Sequence, residues 1–228
     1  MRELILKITL KSPSLIGSGE GFGSIIDSDI VFDEIGIPYI PAKRIKGCLR
    51  DSAIEICEIF EMAGINILNL NKEKDSGNKY SIVSSVFGKQ GSDTPSPVYF
   101  SNLTIEEYNN IKEWLAYFIN KYKDLISPAS ITEYFTEIRQ QTAIGEDGVA
   151  KAHNLRTIRV ARKGLVFEGK INIESDDEEY LKLLFFACKN FRRMGTKRNR
   201  GYGKIECKLY DEMMKEISFI KELEEICK

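Results

Sequence analysis

The 228-residue sequence is poor in the residues that build metal centres and nucleophilic triads. It has one histidine, His153, and no Cys-x-x-Cys pair. A histidine-ligated metal site and a Ser–His–Asp triad each need several correctly spaced partners, so the sequence argues strongly against both. The five cysteines are odd in number and scattered, which gives no disulfide framework. Four of them fall on or beside apolar positions, which predicts small buried thiols in a reducing compartment: Cys48, Cys57, Cys188 and Cys207, with Cys227 as the fifth.

The sequence also lacks a long apolar segment. No run approaches the roughly 18 residues needed to cross a bilayer, and the first residues alternate with charge instead of forming the apolar block of a signal peptide. We therefore expect a cytoplasmic protein with no membrane partner. Contents of 43% hydrophobic and 29% charged residues are ordinary for a globular protein.

A glycine-rich loop at residues 17–23 (GSGEGFG) does not fit a dinucleotide site. The glycine spacing of that motif fails from either Gly17 or Gly19. The residues that follow, SIIDSDIVFDE, are β-branched and acidic, whereas a Rossmann loop opens into a helix. This class of cofactor is therefore excluded.

The formal net charge of −1 hides a strong segregation of charge. Three segments, 42–50, 139–163 and 192–204, hold 16 of the 33 basic residues in 47 of 228 positions. The last of them, RRMGTKRNRGYGK, has six basic residues, three glycines and no acid. Clustering of this kind predicts a phosphate-binding surface on a protein whose total charge does not suggest one.

Periodic spacing of apolar residues predicts strands and helices. A period of two predicts strands, and an apolar residue every three to four positions predicts helices. The predicted strands cover residues 3–11, 164–174 and 204–211, and the predicted helices cover 43–63, 104–125, 176–194 and 211–228. This order predicts an α+β fold, a ferredoxin-like antiparallel sheet with the layout of an RNA recognition motif and with helices on one face.

Local signals refine this outline. Residues 69–98 are polar and turn-rich, which predicts a loop within an insertion at about 64–135. TIEE at 104–107 matches a capping box with Thr104 as the cap, and Gly195 suits the end of the preceding helix. Trp114 and its aromatic neighbours favour a core position. With no clear internal repeat, we expect one domain over residues 1–228.

The glycine-punctuated segment at 195–204 (GTKRNRGYGK) resembles the glycine-rich loop of the RAMP superfamily, the repeat-associated proteins of CRISPR systems. Members carry a glycine, a short basic stretch, then Gly-x-Gly and a closing strand; here the glycines are Gly195, Gly201 and Gly203. The chemistry is consistent, because glycine lets a backbone approach phosphates closely and arginine binds them bidentately.

Further stretches resemble the backbone subunits of type III CRISPR effector complexes, of the Csm or Cmr type. They are IDSDIVFDEIGIPYIPAKRIKGCLR at 26–50, VFG at 86–88, VYFSN at 98–102 and the segment 136–169. The last resembles the thumb-like hairpin of that family, which we expect at about 139–163. The family often has Pro-Gly-Ser-Ser where this chain has Pro-Ala-Lys-Arg at 41–44.

The resemblance implies a subunit that binds CRISPR RNA and target RNA beside neighbouring RAMP subunits. It also implies an endoribonuclease that acts only in the assembled complex. By alignment of Ile-Asp-Ser, Asp27 is the implied catalytic residue. It would position Mg²⁺ or another divalent cation, and cleavage would leave a 2′,3′-cyclic phosphate and a 5′-hydroxyl.

The basic segments and the resemblance together give the predicted RNA-binding residues: Lys43, Arg44, Lys46, Arg50, Arg156, Arg159, Arg192, Arg193, Gly195, Lys197, Arg198, Arg200, Gly201 and Gly203. Lysine and arginine neutralise phosphates without reading bases. Two alternatives stay open, namely a non-catalytic scaffold or capping subunit of the same complex, and a standalone nuclease that processes CRISPR RNA.

Overall fold

The computed structural model describes residues 1–17, 26–71, 80–89, 91, 95–142 and 155–227. The elements in this part of the chain are β1 Arg2–Leu10, α1 Ala42–Ala63, α2 Ser81–Phe87, β2 Val98–Phe100, β3 Thr104–Ile105, α3 Tyr108–Lys121, α4 Pro128–Phe135, β4 Thr136–Gln141, β5 Arg156–Ala161, β6 Val166–Ile173, α5 Glu178–Asn190, a 3₁₀ turn Arg198–Arg200, β7 Ile205–Tyr210 and α6 Ile220–Ile226.

The main sheet has the strand order β2-β6-β1-β7, and every neighbouring pair is antiparallel. β3 adds a short pairing to β6. β1 takes the central position because its alternation places one apolar row in the core, formed by Leu4, Leu6, Ile8 and Leu10. The predicted α+β, ferredoxin-like fold is confirmed.

Helices α1 and α5 pack together over the apolar face of the sheet. Phe60 and Phe186 meet edge to face with ring centroids 5.0 Å apart, and the Ser52 hydroxyl donates to the Ala187 carbonyl over 2.9 Å. Cys57, Cys188 and Cys207 are buried in this region, as predicted for small apolar side chains. Burial raises the pKa of the Cys57 thiol to about 12.

The opposite face of the central strands carries paired charges. Lys7 Nζ lies 2.8 Å from Glu106 Oε1 and 3.2 Å from Glu168 Oε2, and Lys170 Nζ lies 2.9 Å from Glu3 Oε1. RNA recognition motifs stack bases on aromatic side chains at this face. In this protein β1 and β6 present ion pairs at this face instead.

The insertion contains more helix than the sequence predicted. Residues 81–87 form α2, within the predicted loop, and Tyr80 is fully buried before it. The capping box predicted at Thr104 was wrong, because Thr104 and Ile105 pair with Glu168 and Phe167 of β6. Strand pairing overrides the local signal, and α3 begins only after Glu107.

Helix α3 lies at the surface, which corrects the expected core position of Trp114. No residue of this helix is buried, and Trp114 is 63% exposed. Its ring stacks on Phe118 at a centroid distance of 6.1 Å, and Phe118 stacks on Tyr122 at the same distance. The aromatic residues therefore form an exposed cluster along the helix.

Two predicted helix ends move. α5 ends at Asn190 rather than near Gly195, because Met194 is buried and pairs its N–H with the Gly203 carbonyl over 2.8 Å. In the predicted C-terminal helix only Ile220–Ile226 is helical. Across the described residues no helix is both long enough and apolar enough to cross a membrane.

Candidate nucleic-acid interface

Residues 194–203, called here the glycine loop, project from the end of the sheet between α5 and β7. The Gly203 N–H donates to the Pro13 carbonyl over 3.0 Å, and the Thr196 N–H donates to the Leu15 carbonyl over 3.2 Å. Together with the Met194–Gly203 hydrogen bond, these contacts close the base of the loop on the segment that follows β1. The loop is thus held by backbone contacts while Arg198 and Arg200 stay exposed.

Two positions at the base of the glycine loop require glycine, because the backbone of another residue lies very close to each of them. Gly195 has φ +87° and Gly203 has φ +76°. A Cβ atom would lie closer than 3.0 Å to the Leu15 carbonyl oxygen at Gly195, and closer than 3.0 Å to the Met194 carbonyl oxygen at Gly203. Gly201 also has a positive φ, but a Cβ there would meet open space.

The hairpin predicted at about 139–163 is present in its described part. β4 and β5 pair antiparallel from Thr136 opposite Ala161 to Gln141 opposite Arg156. The connecting residues 143–154, which include His153, lie outside the described chain. On its outer side β5 meets Ser14 and Ser28 in isolated bridges, so the stem stands beside the glycine loop.

A first groove separates the glycine loop from the hairpin stem. It is a cavity of about 690 Å³ lined by Gln141, Thr142, Arg156, Gly195, Thr196, Lys197, Arg198, Asn199 and Arg200. Lys197 Nζ donates to Gln141 Oε1 over 2.7 Å, and Arg200 donates to the same oxygen over 3.4 Å. Gln141 thus fixes two of the predicted RNA ligands.

Sequence reasoning missed Gln141 because the residue is neutral, and only its register opposite Arg156 reveals its position. Burial lowers the pKa of Lys197, the neighbouring Arg200 and Arg156 lower it further, and Asp27 opposes them. Three cations and one carboxylate therefore share one electrostatic environment.

A second groove lies on the other side of the glycine loop, against the first half of α1. This cavity of about 350 Å³ is lined in part by Arg44, Arg192, Arg193 and Arg198, together with Asp51 and Glu55. The Arg193 guanidinium donates to the Arg198 carbonyl over 2.6 Å and braces the loop. Since Gly195, Thr196 and Arg198 line both cavities, the loop forms a ridge between two basic grooves.

The start of α1 is less available to an anion than the sequence suggested. The Ala42 N–H donates to Asn102 Oδ1 over 2.8 Å, and the N–H groups of Arg44 and Ile45 both reach the Pro41 carbonyl. Lys43 is exposed. Burial and the neighbouring Arg50 lower the pKa of Lys46, so the cations, rather than free N–H groups, give this end its charge.

Asp27 is exposed and attached to the hairpin stem. Its N–H donates to the Thr157 carbonyl over 2.8 Å, and its Oδ2 accepts the Thr157 N–H over 2.7 Å. This reciprocal pairing places Asp27 beside Arg156 at the edge of the first groove. The structure thus brings the predicted catalytic residue next to the glycine loop, over 160 residues away in the sequence.

Asp29 and Asp33, two acids near Asp27, are engaged in contacts within the protein. The Arg159 guanidinium lies 2.8 Å from Asp29 Oδ2, with 5% of the Asp29 side chain and 19% of the Arg159 side chain exposed. Asp33 accepts the N–H groups of Ile35 and Ile37 and the Tyr108 hydroxyl. Arg159, a predicted RNA ligand, is therefore engaged inside the protein.

The environment of Asp29 explains why it needs this arginine. Burial raises the pKa of the Asp29 carboxyl, while the Ile30 N–H and Arg159 lower it in opposition. Arg159 also lies over the Phe32 ring, 5.8 Å from its centroid. Its Nε is buried with no hydrogen-bond partner in the described chain, so the pair is structural and tightly enclosed.

The described residues do not fit a metal site made by this chain alone. No group of three or more His, Cys, Asp or Glu residues in the described ranges could hold a metal ion. Asp27 is a single carboxylate in an environment shared with Arg156, Lys197 and Arg200, and cations disfavour a divalent ion. The predicted Mg²⁺ would need oxygen ligands from another source.

Asp29→Ala is expected to lower the free energy of unfolding by about 3 kcal/mol, because it leaves Arg159 enclosed without its counter-charge. Asp27→Ala removes one exposed hydrogen bond and is expected to cost under about 1 kcal/mol. Urea unfolding of both variants and the wild type measures the difference. Equal stability of the two variants would contradict the assigned environments.

Gly203→Ala is expected to lower the free energy of unfolding by at least about 2 kcal/mol, since it combines a strained φ with a backbone clash. Gly201→Ala is the matched control, with a positive φ and free space, and is expected to cost about 1 kcal/mol. Thermal or urea unfolding compares them. If the two substitutions cost the same, the close approach of Gly203 to Met194 is not a constraint.

Comparison with solved structures identifies a similar overall fold in chains of type III-B Cmr-beta. The chain is similar to a chain of the type III-B Cmr-beta complex bound to cognate target RNA, with TM-score 0.65, 12% identity, and coverage of 92% of this chain and 97% of that chain. It is also similar to a chain of the same complex in the apo state, with TM-score 0.62, 12% identity and coverage of 92% and 98%. At such identities the likeness concerns the fold.

No curated protein sequence matches the chain. The RAMP superfamily model matches residues 7–206, a range that contains the end of β1, the hairpin stem, the glycine loop and both grooves. The chain therefore belongs to the RAMP superfamily.

Proposed function

We propose that this protein is an RNA-binding subunit of a type III CRISPR effector complex and holds CRISPR RNA by its phosphate backbone. The observation that carries the proposal is the glycine loop, a ridge whose arginines and lysine face two basic grooves. Family membership supports the CRISPR context, and the likeness to Cmr-beta chains supports the type III assignment.

The chemistry of the grooves favours phosphate over bases. Most of their charged groups are guanidinium and ammonium ions, which bind phosphate oxygens without sequence preference. The aromatic cluster of α3 lies on the insertion, and neither groove includes a residue of it. A subunit that must accept any spacer sequence needs this kind of contact.

The exposed surface of α3 is suited to contact with a neighbouring RAMP subunit. Trp114, Tyr117 and Tyr122 are exposed there, and aromatic residues are enriched at the centres of protein interfaces. Lys121 lies over the Tyr117 and Tyr122 rings at 5.4 and 5.3 Å from their centroids. We therefore assign the proposed protein contacts to the insertion and the proposed RNA contacts to the glycine loop.

Replacing Arg198 and Arg200 together with alanine is expected to weaken RNA binding about equally for all sequences. Two lost phosphate contacts should lower the slope of log affinity against log salt by about 1.4 on single-stranded RNA. Fluorescence anisotropy with unrelated RNAs at several salt concentrations measures both effects.

The matched control is Lys170→Ala with Lys182→Ala, which removes the same charge from residues outside both grooves. The control should bind like the wild type. Sequence-selective loss in the arginine variant, or no loss at all, would refute backbone binding by the glycine loop.

We further propose that Asp27 takes part in cleavage of target RNA paired with the guide. In this reaction the ribose 2′-oxygen bonds to the adjacent phosphorus and the P–O5′ bond breaks. The 2′-hydroxyl loses its proton and the O5′ leaving group gains one, giving a 2′,3′-cyclic phosphate and a 5′-hydroxyl. A carboxylate is a far weaker base than the alkoxide formed from this hydroxyl, so orientation is the better role for Asp27.

The surroundings of Asp27 suit this role. The Thr157 N–H holds one carboxylate oxygen, which fixes the side chain against the stem. Lys197, Arg156 and Arg200 share its environment and could stabilise the charge that develops on the phosphoryl oxygens. Orientation and electrostatic stabilisation would both come from residues at the first groove.

Asp27→Ala is expected to lower target cleavage by the assembled complex by orders of magnitude and leave guide binding nearly unchanged, because the lost group acts mainly in the transition state. Asp27→Asn can keep the Thr157 contact and removes only the charge. Asp51→Ala is the control, since it removes an acid from the second groove. Asp29 and Asp33 are unsuitable as controls because both are buried.

Labelled target RNA is incubated with each assembled variant, with divalent cation and with a chelator. Wild-type cleavage by Asp27→Ala, or loss of cleavage in Asp51→Ala, would overturn the assignment of Asp27. Cleavage that survives the chelator would show that Asp27 acts without Mg²⁺.

The two alternatives give distinct results in related assays. A scaffold or capping subunit would assemble and bind guide, and its complex would lose no cleavage in Asp27→Ala. A standalone nuclease would cut precursor repeat RNA without partners, and the single histidine of the chain disfavours that reaction.

A further inference from the structure

We propose that a third groove, at the β7 edge of the sheet, binds a further stretch of RNA backbone beyond the glycine loop. This groove is a cavity of about 590 Å³. One acid, Glu206, and six basic residues line it: Lys11, Lys163, Lys189, Arg192, Lys204 and Lys208. Of these only Arg192 belongs to the RNA-binding residues predicted from the sequence.

Backbone hydrogen bonds bring these distant residues together. The Lys11 N–H donates to the Lys204 carbonyl over 2.8 Å, and the Ile205 N–H donates to the Arg192 carbonyl over 3.0 Å. The Gly164 N–H donates to the Leu10 carbonyl over 2.8 Å and places Lys163 beside them. The charges thus stand on the joined ends of β1, α5 and β7 and on the turn before β6, at fixed positions.

The groove holds more positive charge than its carboxylates neutralise. Glu206 lies 2.8 Å from Lys11 and 4.0 Å from Lys208, and Glu216 lies 3.0 Å from Lys189 and 3.3 Å from Lys208. Two acids therefore serve three lysines. Lys163, Arg192 and Lys204 are exposed and form no ion pair with a described carboxylate.

The lowered pKa values of Glu206 and Glu216 are consistent with a positive potential at this groove. A hydrogen bond from Lys11 lowers the pKa of Glu206, and one from Lys189 lowers the pKa of Glu216. Both acids therefore stay ionised at neutral pH, where two carboxylates face the six cations of the groove. An external polyanion is the group that can balance it.

Continuity with the second groove identifies the polyanion. Phe191 and Arg192 line both the second and the third groove, just as the glycine loop lines both the first and the second. The three grooves form one basic track along one end of the sheet. A track of spaced cations suits successive phosphates of a nucleic-acid strand better than a single small anion.

The inference rests on the proposed function for the identity of the ligand, and the third groove extends the path of that RNA. The test compares three double variants. The third-groove variant carries Lys163→Ala and Lys204→Ala, the arginine variant carries Arg198→Ala and Arg200→Ala, and the control variant carries Lys170→Ala and Lys182→Ala. Affinity is measured by anisotropy for single-stranded RNAs of about 4 and about 16 nucleotides, and for polyglutamate. Equal urea midpoints check that the substitutions leave the fold intact.

The third-groove variant is expected to bind the short RNA like the wild type and the long RNA more weakly, with the salt slope lower by about 1.4. The arginine variant is expected to weaken both RNAs. If only the arginine variant loses affinity, RNA binding by the third groove is refuted and the proposed function stands. If only the third-groove variant loses affinity for long RNA, the third groove stands and RNA binding by the glycine loop fails.

Two other outcomes also decide the inference. If neither variant differs from the control, both proposals are overturned. If the third-groove variant loses polyglutamate but keeps both RNAs, the occupant is an acidic polypeptide and the third groove does not bind RNA.

Discussion

The backbone contact between the glycine loop and the segment that follows β1 is the constraint on which the candidate interface depends. Gly203 donates to Pro13 and Thr196 donates to Leu15, and Gly195 and Gly203 leave no room for a side chain. These backbone contacts hold a glycine-rich, charged segment in one position, so that it forms a ridge. The grooves on either side have cations in defined positions because the ridge between them is anchored.

Charge is arranged in two different ways on this protein. On the free face of the sheet, lysines and glutamates alternate on neighbouring strands and neutralise each other. At the end of the sheet that carries the glycine loop, basic residues outnumber nearby carboxylates. A net charge of −1 is therefore compatible with a polyanion-binding end, because the balancing acids lie on other surfaces.

Burial separates three aspartates that look alike in the sequence. Asp29 and Asp33 serve the fold by pairing with Arg159 and by accepting backbone N–H groups and a tyrosine hydroxyl. Asp27 is exposed and faces the groove environment, with its position fixed by β5. Only the exposed aspartate faces the groove, while the other two hold the segment that presents it.

The sequence by itself determined the elements whose faces differ in polarity. Period-two alternation located β1, β6 and β7, and helical spacing located α1 and α5. In each of these elements the buried side chains recur at the period of the strand or helix within one stretch of sequence. The glycines of the loop and the basic segments could also be read locally. Only the tertiary structure decided that Thr104 joins a strand, that Trp114 is exposed and that Arg159 is buried on Asp29. The same holds for Gln141 and for the lysines of the third groove. The physical reason is that pairing, burial and charge compensation depend on neighbours that are distant in the chain, and no local pattern encodes such neighbours. The Lys204 carbonyl, for example, accepts the Lys11 N–H from 193 positions away.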